Sequence, residues 1–271
     1  PNADTITMTV LTQGPDDLKN EGYVRDLIMK RQFVEVKDPV SYKITERRKN
    51  ADGKTTVVGY VRVSEFNSLV KPKLENALKS LKADGANAYV MDLRSNPGGA
   101  FQSAVEIAGL FLDNQEIATG VVDANDVEMP FRVTKGKMII DPKETPLVIW
   151  IDGGSASASE VLAGALHDQC RAVVMGSNSF GKGLIQAVYG LKNGTGLVLT
   201  VAKYVTPNGT NIQGTGIHPD VEAKLPPLLI PGISSDTSKV NFMDASSRLS
   251  QCTCPVTTNR ACMLAHKMPN L

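Results

Sequence analysis

The chain has 271 residues, 29 of them basic and 28 acidic, for a formal net charge of +1 with the Lys and Arg scattered. That balance argues against nucleic acid as a partner, and the length supports a substantial core without metals or disulfides. No stretch approaches the roughly 18 apolar residues of a membrane-crossing helix, and the charged start lacks a signal-peptide pattern.

Pro1 replaces an initiator Met and strand-like residues follow almost at once, which points to a fragment or a processed product. Residues 5–11 (TITMTVL) alternate Thr with apolar side chains, and 23–37 hold two more short apolar runs, so strands are predicted in both. From Val40 to Val63 two strand-like runs flank Asn50–Ala51–Asp52–Gly53, whose Asp-Gly pair signals a hairpin. The rhythm then changes. A helix is predicted over Val70–Ala83, a strand over 88–93 (AYVMDL) and a helix over Ala100–Leu112. The apolar run PLVIWI (146–151) precedes a helix over Ala156–Asp168 and the strand RAVVMG (171–176). Unbroken apolar strands between helices predict an α/β sheet covered on both faces. Residues 196–206 read as a further strand, Pro207–Asn208–Gly209 as a turn, and the chain from Pro226 onward as an irregular tail. Cys170 falls in the core region, whereas Cys252, Cys254 and Cys262 cluster in the tail, which leaves the redox compartment open. With His266 the tail triplet offers a zinc set, but it lacks the usual two-residue Cys spacing, so no metal is expected.

Three features end a strand and open a loop or helix, where α/β sheets carry their sites. In GGSASASE (153–160) a serine at a helix start has free backbone amides beside it. Read alone, Ser155 or Ser157 is equally well an N-cap, with Glu160 supporting the first turn. In SFGKGLIQ (179–186) Lys182 sits between two glycines. The P-loop spacing is absent, which sets nucleotide binding aside, and a solvated loop lysine is the plain alternative. In LRSNPGGA (93–100) Asn96–Pro97–Gly98–Gly99 forces a turn whose amides could hold an anion, or a turn and nothing more. A histidine base is poorly supported, since His167 lies ten residues beyond Ser157 on one helix, His218 is in a Gly-rich loop and His266 is in the tail.

Together with AKYVTPNGTNIQGTGIHPDV (202–221), these segments resemble the carboxyl-terminal processing peptidases from about Gly59 to Val221, more closely the plastid and cyanobacterial members. The resemblance implies a serine endopeptidase without cofactor in which Ser157 is the nucleophile, Lys182 the general base and Gln186 an orienting residue. Ala158 with Gly98 or Gly99 would form the oxyanion hole, and Asp168 and Glu160 would be supporting positions. It further implies a crotonase- and Clp-protease-like core over 38–225, preceded in 1–37 by the closing strands of a PDZ-like domain and followed by the tail 226–271. The expected partner is a protein substrate with an apolar carboxyl tail, membrane-associated substrates included, laid as an added strand along a sheet edge near 197–205. The expected place is outside the cytoplasm, in a thylakoid lumen or a bacterial periplasm. A lysine base must be neutral, so burial of Lys182 is required, although family members can rest with the site misaligned. A non-catalytic peptide scaffold and a crotonase-like acyl-CoA enzyme are the competing readings.

Overall fold

The computed structural model describes residues 5–12, 23–30, 38–49, 53–113, 115–133, 138–140, 145–192, 194–225 and 248. The chain divides into two compact units, Pro1–Asp38 and Pro39–Leu271. In the first, β1 (Thr5–Thr12) pairs antiparallel with β2 (Tyr23–Lys30), setting Ile6 against Met29 and Met8 against Leu27. The predicted strand material in 31–37 and the predicted irregular tail, residue 248 apart, lie outside the described residues.

The second unit runs β3 (Val40–Lys49), β4 (Thr55–Val63), α1 (Val70–Ala83), β5 (Ala88–Asp92), α2 (Phe101–Ala108), β6 (Ile117–Asp123), β7 (Glu128–Arg132), β8 (Leu147–Ile151), α3 (Ala158–Asp168), β9 (Val173–Gly176), β10 (Leu184–Gly190), β11 (Gly196–Val205) and β12 (Val221–Glu222). Six strands form a sheet in the order β12-β9-β8-β5-β4-β3, parallel except for the predicted β3–β4 hairpin. β5 and β8 are buried along their whole length, as strands covered on both faces must be. In α1 the spacing of Val70, Leu74, Leu78 and Leu81 makes one stripe, 0–1% exposed, and each such side chain contributes roughly 1.5–3 kcal/mol. α2 is shorter than predicted. It ends at Gly109, and Leu110, Phe111 and Leu112 are buried in the turns that follow, so an apolar run there did not mean helix.

All three helices contribute to one apolar cluster with Val61, Met91, Ile149 and Val174. The alternate residues Val58, Tyr60, Val90, Val148, Trp150 and Val173 form a second cluster on the opposite face. At its rim Asp92, 0% exposed, accepts hydrogen bonds from Tyr60 Oη (2.7 Å), Arg94 Nε (2.9 Å) and Arg94 Nη2 (2.6 Å), and the Arg94 guanidinium lies 4.8 Å over the Trp150 ring. This fixes the exit from β5.

The other sheet is antiparallel, in the order β10-β11-β6-β7. β11 pairs with β10 on one side and, through Ala202–Val205, with β6 on the other. Residues 202–205 are therefore not an edge, contrary to the expected position of an added strand, and among the described strands the edge on this side of the sheet is β10.

Candidate active site

The turn from β8 into α3 carries three serines at alternate positions, and two of them are engaged. The Ser155 hydroxyl donates to the Leu93 carbonyl (2.9 Å) and accepts from the Asp152 amide (3.0 Å), while Ser159 donates to the Asn96 carbonyl (2.9 Å). Both are essentially unexposed. Ser157 between them is partly exposed and holds φ +56°, ψ −114°, a conformation disfavoured for any residue with a Cβ. Such strain is kept where the surroundings over-determine it, and here two flanking serines bolt the turn onto the segment 93–96.

That segment continues into the Pro-Gly-Gly turn, which packs against Ser157. A Cβ added to Gly98 would stand 2.8 Å from Ser157 Cβ and 3.0 Å from the Ala158 nitrogen, and one added to Gly99 would overlap the Phe66 carbonyl oxygen. Their φ values of +99° and +134° also lie where L residues are strained, so both positions require glycine. Of the two candidate amides, Gly98 N–H already donates to Asn96 Oδ1 (2.9 Å). Ala158 opens α3, so its N–H has no acceptor within the helix.

Glu160 is the strongest anchor in the site. Its carboxylate, 0% exposed, accepts four hydrogen bonds: Ser157 N (2.8 Å) and Lys182 N (2.9 Å) on Oε2, Gly181 N (2.6 Å) and Ser179 Oγ (2.6 Å) on Oε1. One oxygen thus holds the backbone nitrogens of Ser157 and Lys182 less than about 6 Å apart. Ser179 in turn accepts from Ile217 N (2.6 Å), and Gly183 N donates to Gln213 Oε1 (2.9 Å), so the loop 211–217 braces the lysine loop from behind. The sequence signalled Glu160 through its i+3 spacing from Ser157. Nothing local marked Ser179 or Gln213.

The side chains of three other predicted residues lie apart from this knot. Lys182 is exposed, not buried, and is flanked by the exposed apolar side chains of Phe180 and Leu184. Gln186 is exposed on β10 opposite Thr200, with a β-bulge beside it, and among the described residues no hydrogen bond joins its amide to Lys182. Asp168 is not at the site at all. It lies at the far end of α3, about 15 Å along the axis from Ser157, where it accepts from the Asn208 amide (2.9 Å) and from His167 Nδ1 (2.8 Å). His167 donates through Nε2 to Asp220 (3.0 Å) as well. The hydrogen bond to Asp168 and then that to Asp220 push the imidazole up to about 10, against the opposing effect of burial.

Raised above the roughly 6.5 of an unfolded histidine, this group contributes stability that is complete below about pH 6.5 and lost as the pH climbs through 10. Wild-type resistance to urea should therefore fall between pH 7 and 10. In His167→Gln that slope should largely vanish, and an equal slope in both proteins would mean that the imidazole is not clamped.

Known proteins resemble this chain in sequence and fold. Residues 57–223 match the model of peptidase family S41. The chain is 43% identical over 199 residues, 73% of its length and 39% of the relative's, to carboxyl-terminal-processing peptidase 1, chloroplastic, of Arabidopsis thaliana. It is 37% identical over 233 residues, 86% of its length and 52% of the relative's, to the carboxyl-terminal-processing protease of a Picosynechococcus species. Among solved structures, the photosystem II D1 C-terminal processing protease superposes with a TM-score of 0.65 at 34% identity, covering 83% of this chain and 57% of that one. The chain spans about two fifths to one half of the length of these curated relatives.

Proposed function

The chain belongs to peptidase family S41, and from that premise we propose that it is a serine endopeptidase that cuts protein substrates near their carboxyl termini through a Ser157–Lys182 dyad. The observation that carries this reading is the single buried carboxylate of Glu160 tying the Ser157 and Lys182 amides together. In the proposed reaction Ser157 Oγ attacks the scissile carbonyl while neutral Lys182 takes its proton and passes it to the departing amine. Water then hydrolyses the acyl-enzyme. The oxyanion is held by the Ala158 amide with that of Gly99, since Gly98 N–H is already spent on Asn96.

The exposure of Lys182 gives substrate a part in making the base. A polypeptide laid as a strand on the β10 edge would cover Phe180 and Leu184 and strip water from the lysine between them. Gln186, on that same edge strand, would orient the amine once it is covered. An apolar substrate tail suits these neighbours. The β1–β2 unit is read as the closing strands of a PDZ-like domain for tail capture, 38–225 as the peptidase core and 226–271 as a tail. The names of the relatives favour a thylakoid lumen or a periplasm as the place of action.

The test is to incubate the full chain with an unfolded protein ending in apolar residues, follow cleavage by mass spectrometry, and search the tryptic peptide 144–171 for an acyl adduct. Cleavage with an adduct on Ser157 supports the proposal. Binding without cleavage replaces it with a peptide scaffold, and turnover of an acyl-CoA without peptide cleavage replaces it with a crotonase-like enzyme.

A further inference from the structure

The strand pair β10–β11 outruns its sheet. Among the described residues β11 meets β6 through Ala202–Val205 alone, so 186–190 and 196–200 run on together as a two-stranded ribbon roughly 17 Å long. A turn closes it, in which Leu191 N–H donates to the Thr195 carbonyl (2.8 Å). We propose that this ribbon is a membrane-docking arm that enters the interface of an anionic lipid bilayer tip first.

Its side chains carry the argument. Residues directly opposite in an antiparallel pair share a face, which puts Val188 with Val198 on one side and Tyr189 with Leu197 and Leu199 on the other. The first two are 73% and 54% exposed, the other three 49%, 44% and 45%, and Leu191 at the turn is 48% exposed. An antiparallel ribbon packed on a core by one face ordinarily keeps the other polar, because that face meets water. Here both faces are apolar and both are exposed. A protein surface laid on one of them would leave the other in water, whereas the boundary between headgroups and acyl chains takes up both at once.

Charge selects the kind of surface. No Asp or Glu lies between Asp168 and Asp220, and Lys192 stands exposed in the tip turn. Among the described pairs, the one carboxylate opposite β11 is that of Asp123, which faces Ala202 at the root of the ribbon. An apolar tip that carries a cation and holds carboxylates back matches anionic headgroups above acyl chains. Tyr189, one residue inside the end of β10, has the amphipathic ring that settles at such a boundary. The arm starts at Leu184, the foot of the strand along which substrate is proposed to lie, so a docked chain presents that edge to polypeptide emerging from the bilayer. This consequence alone rests on the proposed reaction.

The full chain is sedimented with vesicles of three parts phosphatidylcholine to one part phosphatidylglycerol, with circular dichroism to confirm that each variant is folded. Binding needs no turnover, so it is read independently of the Ser157–Lys182 dyad. Wild-type chain is expected to sediment with the vesicles. Binding should fall roughly 5–20-fold in Leu197→Thr and in Val198→Thr alike, since threonine keeps strand propensity and each change removes apolar surface from a different face. Lys192→Gln should weaken binding about 5-fold, and only where phosphatidylglycerol is present. Trp150, the single native tryptophan, is 1% exposed, so the emission of Leu197→Trp reports the tip and should shift to the blue with vesicles. A chain that stays in the supernatant overturns the proposal. So does binding that only one of the two threonine substitutions weakens, which would mean a ribbon lying on one face. Self-association that the same substitutions abolish, without vesicle binding, overturns it too and makes the occupant a second copy of the chain.

Discussion

Replacing Lys182 by alanine is expected to lower kcat/KM for a peptide substrate by roughly 10^4-fold, and adding Ser157→Ala should cost almost nothing more. In the proposed mechanism nucleophile and base act as one device. Without a proton acceptor the serine hydroxyl is a poor nucleophile, and without the hydroxyl the amine has nothing to deprotonate, so the two losses overlap instead of multiplying. Residual activity of both single variants and the double variant should converge on what the oxyanion amides and substrate binding supply alone. The measurement is hydrolysis of a quenched fluorescent peptide by all four proteins, with circular dichroism to confirm that each is folded. The Lys182 variant should also regain part of its activity in added small primary amines. A variant that keeps a tenth of wild-type activity would remove Lys182 from the mechanism and return the base to an unidentified group.

Glu160→Gln should be the most damaging near-isosteric change in the molecule. Each carboxylate oxygen accepts two hydrogen bonds from groups that can only donate at those positions or are already committed. Whichever way the amide of glutamine turns, its NH2 faces two donors from a side chain that itself has no water-exposed surface. Two charge-assisted bonds are lost and two polar groups stay buried without an acceptor, a cost of about 3–5 kcal/mol. Because Glu160 bonds backbone amides and the Ser179 hydroxyl, its proposed role is positioning. Assayed below its lowered melting temperature, the variant should show kcat reduced by roughly 10^2-fold or more with KM little changed, since the substrate edge β10 is intact and only the register of Ser157 against Lys182 is loosened. An unaltered kcat in folded protein would show that the dyad is held by something other than this carboxylate.

Much of the core was legible because burial writes itself into composition. Five consecutive apolar residues in β8 and the Val70, Leu74, Leu78, Leu81 stripe of α1 leave no other reading. The second sheet was not legible beyond β11. β7 is exposed throughout and contains Pro130, and β10 carries apolar residues at exposed positions (Leu184, Val188) as well as half-buried ones (Ile185, Ala187), so neither shows the apolar–polar alternation that reveals a half-buried strand. At the site, the family resemblance brought out Ser157 and its i+3 spacing Glu160, whereas the anchoring of Ser155 and Ser159 depends on where a loop sixty residues upstream comes to rest. Asp168 illustrates the opposite failure. It is close in sequence to the catalytic segment, yet a helix of eleven residues carries it away, where it serves the His167 clamp. Lys182 was expected in a buried pocket because the chemistry demands desolvation, and nothing in the residues around it specifies when that desolvation occurs.

The bond from Ile217 to Ser179 has a consequence for biosynthesis. Ser179 reaches Glu160 only as part of a turn that Ile217 closes, and Ile217 is made sixty residues after Ser157. A ribosome adding about 5–20 residues per second therefore displays the Ser157 segment for several seconds before the closing loop exists. Contacts this distant along the chain also form slowly once the chain is complete. If the proposed dyad operates, it is thereby kept unassembled while the chain is still unfolded, because residues 211–217, made well after Ser157, complete the brace behind Lys182.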